Sequence, residues 1–268
     1  MTNGIEISKS HPRAESLRIR EELVEDFEAK IVAEAGLIAH GRGEAFDYLL
    51  GEKTQSHALR STRAAAALML LAKHPVISVN GNAASLSAKD LIELSNLTGA
   101  KLEVNLFYRT RHRERAVAEH LRSLGAANVL GNDQTFQTEF QEVHSSRRRV
   151  DVRGIVAADV VLVPLEDGDR VDALAKAGKK TIVIDLNPLS RSSRSAIITV
   201  VDNIVRAAPN LVDITRLLKG EDRSALEQIV SEFDNKRNLS EAVESMISNL
   251  RDVAAKLEEG YAQRKVGD

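Results

Sequence analysis

The residues best suited to chemistry sit in short polar runs that follow apolar ones. The richest is Asp185-Leu186-Asn187-Pro188-Leu189-Ser190-Arg191-Ser192-Ser193-Arg194. An aspartate at a strand end can accept from ribose hydroxyls, and an asparagine side chain both donates and accepts. Pro188 holds φ and stiffens the turn. The serines are short hydroxyl donors, and Arg191 and Arg194 offer planar forks that match phosphate oxygens. Taken alone, the same stretch also reads as an ordinary exposed loop. Gly41-Arg42-Gly43 is a second candidate. Read as a turn, its glycines would let the backbone approach a ligand while Arg42 carries charge to a phosphate. His40 beside it is either a general base or a packed ring. The basic run Arg147-Arg148-Arg149 reads as a solvated loop rather than an anion site.

These runs need elements to position them, and the apolar pattern supplies the elements. Val76-Ile77-Ser78-Val79, Lys101 to Phe107, Asp159 to Pro164, Lys180 to Asp185 and Ala196 to Val201 are short and rich in β-branched residues, as buried parallel strands are. A weaker strand is placed at Asn128 to Leu130. Helical spacing recurs between them, over about Ala88 to Leu97, Arg111 to Leu124, up to Lys176, and on to Leu218. Strand and helix in alternation predict an α/β fold, a parallel sheet with crossover helices. In such sheets ligands bind beyond the carboxyl ends of the strands. That rim would hold Asn80 and Asn82, then Asn105 and Arg109, then Glu166 to Asp169, then Asp185 to Arg194.

Upstream of the sheet, Ser10 and Pro12 suit the start of a helix carrying Leu17, Val24, Phe27 and Ile31, with Gly36 at or just past its end. A second helix is expected over Ser56 to Lys73. Thr135 to Arg153 has no clear period and reads as a long loop or a loosely ordered insertion. Beyond Gly220 the chain is charged and helical, with Ile229, Phe233, Met246, Ile247, Leu250, Val253 and Leu257 as apolar teeth, and reads as a covering or interaction element. The expected organisation is therefore an N-terminal helical segment (1–74), a Rossmann-like core (75–219) and a helical tail (220–268).

Composition narrows the chemistry. The 268 residues carry no cysteine, which excludes thiolate nucleophiles and cysteine-held metals. Net charge is −2 and aromatics are 3%, so neither a basic field nor stacking platforms favour nucleic acid. No run of about 18 apolar residues suits a membrane span, and Met1 to Ser10 lacks a signal-peptide core, so a cytoplasmic protein is expected. Gly178-Lys179-Lys180-Thr181 leads into a strand rather than out of one and is no Walker loop. No Gly-x-Gly-x-x-Gly follows the first strand, which counts against a nicotinamide-dependent oxidoreductase.

Several long strings resemble one family, the archaeal 4-phosphopantoate–β-alanine ligases, also called archaeal phosphopantothenate synthetases. They are Ser10-His11-Pro12-Arg13, the stretch from Ala35 to Leu49, Val79-Asn80-Gly81-Asn82 and Val104 to Thr110. Further on come Val163 to Arg170, Ile184 to Ser192 and Val201 to Ala207. The resemblance implies a homodimeric enzyme of coenzyme A biosynthesis that condenses 4-phosphopantoate with β-alanine and cleaves ATP to AMP and pyrophosphate. It carries the family's ATP contacts onto Arg20, Arg42, Asp185, Leu186, Asn187, Arg191, Ser192, Asn203 and Ile204, with Mg²⁺ expected alongside ATP. His40, Glu166 and Asp167 are the candidate proton acceptors by type and position. Asn80, Asn82, Asn105 and Arg109 are the candidates for the acid substrate. A nucleotide-dependent oxidoreductase and a non-catalytic nucleotide-binding regulator are the rival readings.

Overall fold

The computed structural model describes residues 8, 10, 11, 13–140, 145–165 and 167–266, with side chains through 259. Its centre is a six-stranded, all-parallel sheet. The strands are β1 (Pro75–Val79), β2 (Lys101–Val104), β3 (Val129–Leu130), β6 (Val160–Pro164), β7 (Lys180–Ile184) and β8 (Ile198–Val200), in the order β3-β2-β1-β6-β7-β8. The Rossmann-like expectation is met. The first three strands step one way from β1 and the last three step the other way from β6, so the chain reverses between β1 and β6. A crevice opens at such a point beyond the strand ends.

Successive side chains of a strand face opposite ways, and the two faces have separate cores. Ile77, Val79, Leu102, Val104, Leu162, Ile182, Ile184, Ile198 and Val200 join one large cluster. It is covered by α3 (Ser56–Leu71), α4 (Gly81–Thr98), α5 (Arg111–Ser123) and α8 (Ile204–Leu218). Val76, Val161, Val163 and Val183 point the other way, toward α6 (Gly168–Lys176) and the turn at Ile155. The alanine-rich face of α3 is buried almost completely, which lets this helix sit close to α8 and β8.

Three expectations are corrected. The N-terminal helix does not run to Gly36: α1 (Ala14–Glu28) ends, and α2 (Glu34–Leu50) begins afresh. Gly41-Arg42-Gly43 is therefore no turn but the middle of α2. Tertiary packing overrides the low propensity of glycine here, because Phe46, Leu49 and Leu50 of the same helix pack against Leu186, Val201 and Met246. Residues 135–153 are not a featureless loop. They contain β4 (Gln137–Glu139) paired antiparallel with β5 (Arg149–Asp151), flanked by 3-10 turns at Gln134–Phe136 and Ser146–Arg148. Strands of three residues, mostly polar, carry too little periodicity to be read from sequence.

After α9 (Arg223–Ser231), the long helix α10 (Asn235–Val266) docks through asparagines. Asn235 donates to the carbonyls of Ser193 (2.9 Å) and Ala196 (3.0 Å), Asn238 to Thr199 (2.8 Å), and Asn249 to Tyr48 (3.2 Å) and Leu49 (3.1 Å). It thus ties the loop after β7 to the end of α2.

Candidate active site

A cleft of about 850 Å³ lies over the β1/β6 reversal. Its walls come from the ends of five strands: Asn80 to Asn82 after β1, Leu106 to Tyr108 after β2, Leu165 and Asp167 to Arg170 after β6, Asp185 to Asn187 and Ser190 to Ser192 after β7, and Asn203 and Ile204 after β8. Helix α2 closes one side with Gly36, Ala39, His40, Arg42, Gly43, Glu44 and Phe46. The first turns of α4, α6 and α8 all reach this cleft, and helix N-termini carry partial positive charge and free N–H groups. Among the described residues its lining holds five arginines (42, 113, 147, 170 and 191) and four carboxylates (44, 167, 169 and 185). Such a surface suits an anionic ligand.

The loop after β7 is held in shape by its own aspartate. Asp185 accepts from the Asn187 N–H (2.9 Å) and the Ser190 hydroxyl (2.5 Å). Ser190 in turn caps α7 (Arg191–Ser195), accepting from the Ser193 N–H at 3.0 Å. Burial pushes the Asp185 carboxyl up, opposed by these hydrogen bonds and by the Arg42 charge. Asp185 therefore builds the loop besides facing the cleft. Arg191 is exposed and pairs with Asp169 at 2.7 Å, while Gly168 must be glycine because a Cβ there would run into the Cβ of Arg191. Arg42, exposed on α2, has no hydrogen-bond partner among the described residues, so its whole fork is available to a ligand.

Asn203 caps α8 with its side-chain oxygen (3.3 Å from the Val205 nitrogen) and donates to Asp47 of α2 at 2.8 Å. Asp47 also receives Arg206 (2.5 Å), which reaches Asp202 at 2.7 Å. This buried network fixes α2 relative to the start of α8. Nothing in the sequence pattern singled out Asp47 or Arg206, since residues 150 or more apart give no local signal.

Asn80 and Asn82 line the cleft, yet both amides are largely committed to structure. Asn80 accepts from the Ala83 N–H (3.0 Å) as the cap of α4, and donates to the carbonyls of Pro164 (2.8 Å) and Leu165 (3.0 Å). The latter bond clamps an uncommon backbone, because Leu165 has φ 54°, a left-handed conformation costly for a side-chain-bearing residue. Asn82 donates to the Gly36 carbonyl at 2.8 Å, joining α4 to α2.

Two of the candidates for the acid substrate lie outside this cleft. Asn105 is fully buried, donating to the carbonyls of Arg147 (3.3 Å) and Arg149 (3.0 Å) while accepting from Arg170. Arg109 pairs with Glu114 and donates to the carbonyls of Arg149 (2.8 Å) and Gly131 (3.2 Å); it borders a smaller hollow with Phe107, Ser145 and Arg148. Both brace the β4–β5 hairpin, which is why their donors do not reach the main site. Arg20 is not in the lining either, but bonds Glu44, which is, at 2.6 Å. Of the proton-acceptor candidates, His40 lines the cleft and burial lowers its pKa, leaving a neutral ring at pH 7. Asp167 lines it too, paired with Arg147 at 3.3 Å. Glu166 lies outside the described residues.

The sequence pattern gave no sign of the deepest cations. Arg147 is 6% exposed and Arg170 is 2% exposed, although the first sits in a run of three arginines that looked solvated. Only the fold shows that Asn105 pins this run's backbone over β2.

The family model for phosphopantothenate/pantothenate synthetase matches residues 57–249. The chain belongs to this synthetase family. Individual relatives match over a longer span. The 4-phosphopantoate–β-alanine ligase of Thermococcus kodakarensis is 52% identical over 97% of this chain and 98% of its own length. The ligases of that name from Thermococcus onnurineus and Methanosarcina mazei are 50% and 47% identical, over 97% and 96% of this chain and 98% and 99% of their own lengths. The match to the family begins after α2, whereas the relatives' matches extend over nearly the whole chain. Synthetase similarity thus takes in almost every element that walls the cleft.

Proposed function

We propose that this chain is a ligase that condenses 4-phosphopantoate with β-alanine to 4′-phosphopantothenate while cleaving ATP to AMP and pyrophosphate, working as a cytoplasmic homodimer. The observation that carries it is the cleft at the sheet reversal, where three helix N-termini and five arginines meet in a member of a synthetase family. ATP, 4-phosphopantoate and a carboxylate amino acid together bring a large negative charge that such a lining can neutralise. Nothing in the cleft favours the oxidoreductase or the regulator.

A carboxylate resists an amine because oxide is a poor leaving group. Attack of the 4-phosphopantoate carboxylate on the α-phosphorus of ATP would form an acyl-adenylate and release pyrophosphate. The β-alanine amine would then attack the acyl carbon, the C–O bond to AMP would break, and the amine would give up a proton. Arg42 and Arg191 suit the triphosphate, with Arg20 steadying the wall through Glu44. Asp185, Leu186 and Asn187 suit the nucleoside, with Ser192, Asn203 and Ile204 beside them. An alkylammonium with pKa roughly 10.4 is neutral about one part in a thousand at pH 7. His40, held neutral by burial, is the proton acceptor this reading favours over Asp167, which Arg147 already engages. Positioning can contribute effective molarities of about 10⁵ M, so the walls matter as much as the base.

Mg²⁺ typically binds through one or two carboxylates plus substrate phosphates and keeps several waters. Asp167 and Asp169, both in the lining, fit that sparse demand, and the ion would shield charge on the triphosphate. The direct test is to incubate the purified chain with ATP, Mg²⁺, 4-phosphopantoate and β-alanine. AMP and 4′-phosphopantothenate should appear in equal amounts, and AMP should not form without either acid. Failure to make the amide, with the protein folded, would reject this function.

A further inference from the structure

A chain of polar side chains runs behind the cleft wall, where α2 meets the start of α8. Arg206, in the first turn of α8, holds Asp47 of α2 with both arms of its fork, at 2.5 Å and 3.1 Å. It also donates to one oxygen of Asp202, through Nε (3.0 Å) and a terminal nitrogen (2.7 Å). That oxygen takes the backbone N–H of Asn203 at 2.8 Å, and the other takes the Thr54 hydroxyl at 2.7 Å. Asp47 in turn accepts from the side-chain amide of Asn203 at 2.8 Å. Asp47, Asp202 and Asn203 are all buried. Of these residues Asn203 alone lines the cleft.

The two ends of an asparagine amide have opposite chemistry: the oxygen accepts and the NH2 donates. A half-turn of the group exchanges them with almost no change of shape. Here the choice is forced. A carboxylate only accepts, so the edge of Asn203 that meets Asp47 must be the nitrogen. The oxygen is left to cap α8, 3.3 Å from the Val205 nitrogen. The second amide N–H has no hydrogen-bond partner among the described residues and is available to an acceptor in the cleft. Arg206 makes the arrangement rigid, because a fork on two carboxylate oxygens fixes the plane of Asp47. Burying two carboxylates around one guanidinium is a costly way to join two helices. An apolar contact would join them at less cost, but it could not choose which end of an amide faces a ligand.

We propose that Asp47 and Arg206 are positioning residues for nucleotide binding, which turn the Asn203 amide so that an N–H rather than a carbonyl meets ATP. The proposal rests on the ligase reading above, which sets ATP beside Asn203. An N–H suits a phosphate oxygen or a ring nitrogen of the base, whereas a carbonyl there would repel either. Asp47→Asn tests this with almost no change of volume. Whichever way the new amide turns, its NH2 meets a donor, either the Arg206 fork or Arg206 and Asn203 together. The Asn203 amide then loses its bias and can present either end.

ATP affinity is measured by calorimetry on the full chain, on Asp47→Asn and on Arg206→Lys, with urea unfolding of each alongside. Asp47→Asn should weaken ATP about tenfold, the lower end of what a lost charged hydrogen bond costs. Arg206→Lys keeps the charge but not the fork and should weaken it by less; it carries the test if Asp47→Asn does not fold. In turnover the loss should fall on KM for ATP, with kcat and the KM of both acids within about twofold. Asn203→Ser keeps a helix cap but has no amide. It should weaken ATP at least as much, and adding Asp47→Asn to it should weaken ATP no further, since one residue acts through the other. A merely structural bridge would lower stability and the active fraction while leaving KM for ATP unchanged, and that result overturns the proposal. Additive losses in the double variant overturn it too. A wild type that binds ATP but makes no amide would sink the ligase reading alone, because the affinity measurements do not use the acids. A wild type that does not bind ATP sinks both.

Discussion

His57 gives the fold a pH dependence that can be worked out in advance. It sits in the first turn of α3, is 1% exposed, and has no hydrogen-bond partner at either ring nitrogen among the described residues. Burial, with a smaller effect from the Arg60 charge, lowers its pKa to about 4, against about 6.5 in an unfolded chain. Between those values the unfolded chain takes up a proton that the folded ring refuses. Stability therefore rises with pH across this window, and its loss on acidification is complete only below pH 4. At about 1.4 kcal/mol per pH unit, the full effect is at most about 3 kcal/mol, of which about 2 is spent by pH 5. His57→Leu removes the proton site and two unpaired nitrogens, so at pH 7.5 it should be neutral or mildly stabilising. Urea unfolding of both proteins at pH 7.5, 6 and 5, at one ionic strength, isolates the effect, because the other titrating groups cancel in the difference. The wild type should lose about 2 kcal/mol relative to the variant between pH 7.5 and 5. A difference that does not change with pH would refute the reasoning.

Other outcomes follow from the cleft. Arg191→Ala should weaken ATP about tenfold to a hundredfold, the equivalent of ~1.5–3 kcal/mol, in a direct binding titration; unchanged affinity and turnover would remove that loop from the nucleotide site. Reaction of carboxyl-¹⁸O 4-phosphopantoate should deliver label into AMP, read by mass spectrometry, whereas label in pyrophosphate would rule out an acyl-adenylate. Asn80→Ala loses a helix cap and the clamp on the Leu165 backbone, and should cost about 2 kcal/mol or roughly 4–8 °C in Tm. Asn80→Asp keeps the cap but not the donation, so it should recover only part of that loss, and full recovery would show that the clamp contributes nothing.

The sheet was legible because its strands are continuous apolar runs such as Val160 to Val163 and Thr181 to Ile184, whose burial on both faces leaves no other arrangement. The rim followed from the sheet. What could not be read was long-range commitment. Asn105 and Arg109 are polar residues after a strand, like Asn80, but a hairpin formed some 40 residues later consumes their hydrogen bonds. Arg147 failed in the opposite direction: a run of arginines looks solvated until a buried amide pins its backbone. Gly41 and Gly43 signalled a turn by propensity alone, while contacts made by Phe46 and Leu50 with a helix two hundred residues away kept them helical.

Helix α2 has ends of unequal stiffness. Its first half carries Gly36, Gly41 and Gly43, each costing about 1 kcal/mol of helix stability relative to alanine. Its second half is pinned by Asp47, by Leu50 in an apolar cluster and by Asn249 of α10. Amide exchange along this one helix should therefore be graded, fast through Gly43 and slow from Asp47 onward. His40 and Arg42 ride on the breathing half. If ligands enter by loosening these two turns, bound ligand should slow their amide exchange and leave that of the sheet unchanged.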